Sequence, residues 1–188
     1  MTDQERDVEV FTAVATNVGC QVESFPDLDQ ALDYVGRHAG GRILVPGFAS
    51  GQRLGLVERL EQAGLEIATG NLREAASSAP AGLTGINFAL ADTGTLVLES
   101  TDEAIRLATT LPVRHFALLD PRKILADGLA AAGPLRSMHQ RDQRNYIAYI
   151  TGPSRTADIE RVLTIGVHGP KELHILVVPG LSDDLLEM

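Results

Sequence analysis

The chain has 188 residues, 44% of them hydrophobic, and its 25 Asp and Glu outnumber 16 Lys and Arg to a formal net charge of −9. That length fits one domain with a sizeable core, and the hydrophobic fraction excludes disorder by composition. The acidic balance argues against nucleic acid or an anionic membrane surface as principal partner, because both reward Lys and Arg.

Residues 4–18 place Val8, Phe11, Val14, Ala15 and Val18 at spacings of 3, 3, 1 and 3, which predicts a helix closed by Gly19. Cys20, the single cysteine, excludes an internal disulfide and a Cys-ligated iron–sulfur cluster held by this chain alone. Its neighbours Val18 and Val22 suit a small buried hydrophobe. A short strand is predicted at 21–23. Asp27, three residues before Gln30, marks a second helix start, running to about Arg37. Gly40-Gly41 leads into a buried strand at 42–45, ended by Pro46-Gly47. A third helix is predicted over 52–63, closed by Gly64, with a short strand at 65–68.

The stretch 77–95 is rich in Gly, Ala, Ser and Thr and reads as short strands joined by tight turns. Strands at 88–91 and 95–99 form a hairpin around Asp92-Thr93-Gly94. A helix is expected over 102–109, a strand over 113–119 stopped by Asp120-Pro121, and a helix over 124–132 ended by Gly133-Pro134. Two apolar runs, 146–151 and 173–178, read as buried strands around a polar, turn-rich segment. The alternation predicts a largely parallel, layered α/β fold. There is no internal repeat and no linker, so residues 1–188 read as a single domain. The acidic N-terminus and the lack of a span-length apolar stretch lead to the expectation of a soluble, cytoplasmic protein.

Dinucleotide, P-loop and nucleophile-elbow signatures are absent, and the five histidines show no zinc spacing. The candidates lie elsewhere. Asp92, Thr93, Gly94 and Thr95 form either a plain hairpin turn or a nest of backbone N–H groups and hydroxyls able to hold an anion. Arg106 either faces that pocket or is solvated on its helix. In the segment 152–170, a strand end at Thr151 is followed by a predicted helix start near Ser154 or Thr156. Gly152, Ser154, Arg155 and Thr156 then make a helix-terminal anion site, with Asp158 and Glu160 suiting the first turn. His168, between Gly166 and Gly169, is the candidate acid–base or ligand-binding histidine, against the alternative of a histidine satisfying a turn. Asp92 is the second candidate catalytic group. His174 alternates within an apolar strand and reads as structural. No metal site is expected.

The stretches ALADTGTLVLES (89–100), LP.RHF (111–116) and GPSRTADIE…GVHGP (152–170) resemble the lactate-utilisation protein C family, the LUD-domain proteins. The resemblance covers about residues 40 to 180; the first 40 form a variable N-terminal helical part. It implies a fold like that of the NagB/RpiA/CoA-transferase superfamily, a three-layer α/β sandwich with a mostly parallel central sheet. It also implies a cytoplasmic role in oxidising L-lactate to pyruvate, with iron–sulfur clusters carried by partner proteins and no cofactor in this chain.

Two functions follow. One is an accessory or ligand-binding subunit of the lactate-oxidising system. The other is a stand-alone enzyme on a small anionic substrate (an organic acid, sugar phosphate or acyl-CoA), with His168 or Asp92 as its acid–base group. A CoA transferase would also need a glutamate nucleophile, for which Glu99 and Glu160 are the nearest candidates.

Overall fold

In a computed structural model describing residues 1–141, 145–157, 163–166 and 168–188, helix α1 (Asp3–Asn17) opens on a reciprocal cap. The Thr2 hydroxyl accepts from Glu5 N, and the Glu5 carboxylate accepts from Thr2 N. Strand β1 (Gln21–Ser24) follows, then α2 (Leu28–His38), capped by Asp27 accepting from Gln30 N as the sequence spacing predicts.

After β2 (Ile43–Leu44) the predicted single helix over 52–63 is two, α3 (Ala49–Arg53) and α4 (Leu56–Gln62). Gly55, in the left-handed region at φ 61°, breaks the register between them. Residues 65–68 make only an isolated bridge, Ile43 with Ile67, instead of a strand. A helix with no forecast, α5 (Leu72–Ser78), starts at Asn71, whose side chain accepts from Arg73 N and Glu74 N.

Strands β3 (Ala81–Gly85), β4 (Phe88–Leu90) and β5 (Thr95–Glu99) precede α6 (Glu103–Thr110) and β6 (Arg114–Leu119). The predicted helix over 124–132 is absent. A 3-10 turn at Pro121–Lys123 runs into the short β7 (Ile124–Leu125), and α7 (Ala132–Arg141) starts where that helix was to end. Pro134 lies in its first turn, where the missing N–H costs no intrahelical bond. Then come β8 (Ile147–Ile150), β9 (Arg155–Ala157), β10 (Leu163–Ile165) and β11 (Glu172–Val177). The expected helix start at Ser154 or Thr156 is therefore a strand.

The central sheet has the order β1-β11-β6-β3-β2, with every pairing parallel. Register puts Leu83, Phe116 and His174 on one face, where the Tyr34 ring of α2 packs on the latter two. The other face carries Gly82, His115 and Leu173. Here α6 lies directly on β3, because a Cβ at Gly82 would stand 2.2 Å from the Ala108 carbonyl oxygen.

A second sheet, β7-β4-β5-β8, contains the predicted hairpin, with Phe88 opposite Val97. Its two faces are both apolar. Ala89, Leu96 and Leu98 join the main core, while Phe88, Leu90 and Val97 pack with Met138 of α7. The run 146–151 is not a buried strand: β8 is an edge of this sheet, and Tyr149 is 54% exposed. No helix among the described residues is long and apolar enough to cross a membrane.

Candidate functional site: a pocket at the amino ends of the central strands

Residues 152–154 close on Gly166 and on 168–170 as a clasp. Ser154 N donates to the Pro170 carbonyl at 2.9 Å, and Gly166 N donates to the Ser154 carbonyl at 2.8 Å. Gly169 is pressed onto the Ser154 side chain so closely that a Cβ would lie 2.8 Å from Ser154 Cβ. The clasp forms one wall of a cavity of about 330 Å³, within the range of small-molecule sites. The C-terminal end of α6 (Thr109, Thr110), His115, Leu173 and β8 complete its lining. His115 and Leu173 are second residues of β6 and β11. The pocket therefore sits at the amino ends of these strands, away from the carboxyl-end crevice usual in open α/β sheets.

Most of the lining polar groups are already engaged. Thr109 and Thr110 both donate to the Arg106 carbonyl, and His115 Nε2 bonds Thr84 Oγ1 at 2.9 Å. Burial pushes the His115 imidazole down to about 4, so it is neutral at pH 7. Ser154 Oγ and the exposed His168 ring are left without a hydrogen-bond partner among the described residues. No carboxylate lines the cavity among those residues. Two uncommitted polar groups over apolar Leu173, Ile150 and Pro153 suit a small molecule with both a polar and an apolar end.

The other sequence candidates converge on helix α1 instead. Gly94, at φ 62°, carries no Cβ because one would stand 2.6 Å from Ala15 N. Gly152, at φ 84°, is likewise 2.6 Å (at a notional Cβ) from the Val18 carbonyl oxygen. Arg155 donates its guanidinium to that same oxygen. It thereby supplies the cation that the last turn of α1 lacks, at the negative end of the helix dipole. Cys20 lies beneath this junction, buried, with its thiol pushed up to about 11 by desolvation against a bond from Gly152 and the nearby Arg155 charge. Thr95 Oγ1 donates to Thr93 Oγ1 at 2.9 Å, and Asp92 is exposed on the turn. None of Asp92, Thr93, Gly94, Thr95 or Arg155 lines the cavity. Arg106 turns away as well, donating to the carbonyls of Ser100 and Thr101 beneath the Tyr146 ring. Asp158 and Glu160 lie outside the described residues, and Thr156 is placed only as backbone of β9.

The sequence matches the LUD domain over residues 8–178. The chain belongs to the LUD-domain family. It is 32% identical to a lactate utilization protein C of Anoxybacillus flavithermus over 155 residues, 80% of this chain and 69% of that protein. It is 31% identical to one of Bacillus subtilis over 163 residues, 79% and 68% of the two chains. The fold matches a DUF162 family protein from Deinococcus radiodurans with a TM-score of 0.64, at 18% identity, covering 95% of this chain and 99% of that one.

This LUD domain also holds polar groups that sequence reading passed over. Thr109, Thr110, His115 and Tyr149 line the loop pocket, and only the pairing of β6 with β11 and the seating of α6 bring them there. At the opposite, carboxyl end of the sheet, buried Asp120 accepts from Leu181 N, Ser182 N and the Arg122 guanidinium. Burial alone would raise its carboxyl; those bonds and the Arg122 charge outweigh it and hold the group below the usual carboxylate range. Lys123 is buried beside it, donating to the Glu187 carbonyl at 2.5 Å, and desolvation lowers its ammonium. Among the described residues no three His, Cys, Asp or Glu side chains are grouped to hold a metal.

Proposed function

We propose that this LUD domain serves lactate utilisation as a ligand-binding subunit, taking a small hydroxy acid such as L-lactate in the loop pocket and acting with iron–sulfur partner proteins. The observation that carries this is the match to lactate utilization protein C relatives across four-fifths of the chain. The pocket supports it physically. Ser154 and His168 offer hydrogen bonds to a hydroxyl and a carboxylate, no described carboxylate repels an acid, and Leu173 and Ile150 accept a methyl group. The single cysteine, buried under α1, is in keeping with a division of labour in which partner proteins carry the clusters.

A tagged copy recovered from native cells grown on L-lactate tests the assignment. Co-purification of iron–sulfur proteins with lactate-oxidising activity is the expected result; recovery of the chain alone would overturn it. A second reading, a stand-alone enzyme on an organic acid, is favoured by the shared exposure of Ser154 and His168 to one cavity. Turnover by the purified chain, lost in His168→Ala, would select it.

A further inference from the structure

At the carboxyl ends of β2 and β3, on the side of the sheet away from the loop pocket, lies a second cavity of about 470 Å³. Its rim and walls include Ala49, Glu99, Asp102, Arg141 and Asp184, and its floor includes Asn87. Asn87 is 1% exposed. Its Oδ1 accepts from Glu99 N at 2.7 Å, which fixes the amide orientation and turns Nδ2 the other way. That Nδ2 has no hydrogen-bond partner among the described residues. No side-chain donor among the described residues is both buried and unpaired, so this Nδ2 reaches the cavity that Asn87 lines and is open to an acceptor bound there.

The surroundings define that acceptor's carrier. Glu99 spends one oxygen on Thr101 N, Asp102 one on Ala104 N and Asp184 one on Leu186 N, so each keeps an oxygen free. The Arg141 guanidinium is directed to the Leu186 carbonyl. Three half-satisfied carboxylates around one guanidinium disfavour phosphates and other polyanions and favour ammonium or hydroxyl donors.

We infer that this crevice is a second binding site, independent of the loop pocket, for a small uncharged or cationic carbonyl compound: its carbonyl oxygen accepts from Asn87 Nδ2, and an amine or hydroxyl donates to the Glu99, Asp102 and Asp184 carboxylates. The position agrees with the general placement of ligands outside the carboxyl ends of parallel strands. The loop pocket, by contrast, is lined by no described carboxylate.

The test uses the full chain and glycinamide, which joins an ammonium to an amide carbonyl, with inorganic phosphate as the contrasting probe. Saturation-transfer NMR and calorimetry should show saturable glycinamide binding and none for phosphate. Asn87→Leu removes the donor at nearly constant volume without adding charge, and Ala49→Trp fills the mouth from an exposed position. Each should weaken glycinamide at least tenfold, while His168→Ala should leave it unchanged. Far-ultraviolet circular dichroism checks that the variants are folded, and Ala49→Trp decides the matter if Asn87→Leu is not. Absence of saturable binding, equal binding of phosphate, or loss of binding in His168→Ala would each overturn the assignment. None of these outcomes bears on lactate binding in the loop pocket.

Discussion

Thr95 and Thr151 face each other across the β5–β8 edge, their hydroxyls 2.8 Å apart. Because Thr95 gives its own proton to Thr93, Thr151 is the donor. A three-hydroxyl chain thus ties the DTGT turn to the strand end that opens the GPSR loop. The two stretches most suggestive of ligand chemistry are bound to each other, and of the two the GPSR loop, not the DTGT turn, lines the cavity of about 330 Å³.

Removing this link should cost stability without changing the fold. Thr151→Val is expected to lose about 1 kcal/mol, the usual net worth of one hydrogen bond. The double variant with Thr95→Val should lose less than the sum of the singles, since they share the bond. Urea midpoints of the four proteins measure the coupling; strict additivity would show the bond contributes nothing.

Gly94→Ala should be costly for two separable reasons. The left-handed φ of 62° penalises a side chain by about 1–2 kcal/mol, and the new methyl meets Ala15 N at 2.6 Å, adding about 1–3 kcal/mol of overpacking. Gly64, at φ 83° with nothing within 4 Å of a Cβ, isolates the first cost. Gly94→Ala is therefore expected to melt well below Gly64→Ala, and equal melting temperatures would remove α1 from the account.

Stability should rise with pH between about 4 and 6.5. His115 is held at about 4 by burial and then by the nearby His174, whereas an exposed histidine titrates near 6.5. The unfolded chain therefore binds a proton in this interval that the folded one refuses. The contribution is complete above pH 6.5 and is lost as pH falls towards 4, reaching about 3 kcal/mol. His174, also lowered by its burial, acts in the same direction. Denaturant titrations at several pH values should show a shallower slope in His115→Gln.

Asp120→Ala should loosen the segment from Leu181 onward. It strands two buried backbone donors, Leu181 N and Ser182 N, at about 1–3 kcal/mol each. Hydrogen exchange of residues 181–188 should accelerate more than that of the central strands. Uniform acceleration would mean that the segment is not held locally.

For ligand binding, His168→Ala and Ser154→Ala are each expected to weaken L-lactate about tenfold with little change in melting temperature, because both groups are uncommitted in the clasp. Asp92→Asn should bind normally, since Asp92 lies outside the cavity. Calorimetry on the three variants decides whether the pocket or the turn carries the ligand.

Local chemistry in the sequence was enough for α1, α2, α6 and the β4–β5 hairpin. Caps such as Asp27 over Gln30 N, apolar periodicity and the Asp-Thr-Gly turn act within a few residues and need no distant partner. The same local reasoning misplaced the Gly-Pro at 133–134, because Gly-Pro is compatible with either a helix end or a helix's first turn; packing of Met138 and Leu135 under the second sheet selects the latter. It also gave Arg155 to an anion, since nothing in the sequence says that the last turn of α1 lies against that residue from 137 positions away.

The tertiary structure alone decided which motif residues share a cavity. Strand order β1-β11-β6-β3-β2 sets His115 beside Leu173 at one end of the sheet and Asn87 near Gly47 at the other. A site is a meeting of side chains from different elements, fixed by sheet register and helix seating. Neither is written in the spacing of residues along one segment.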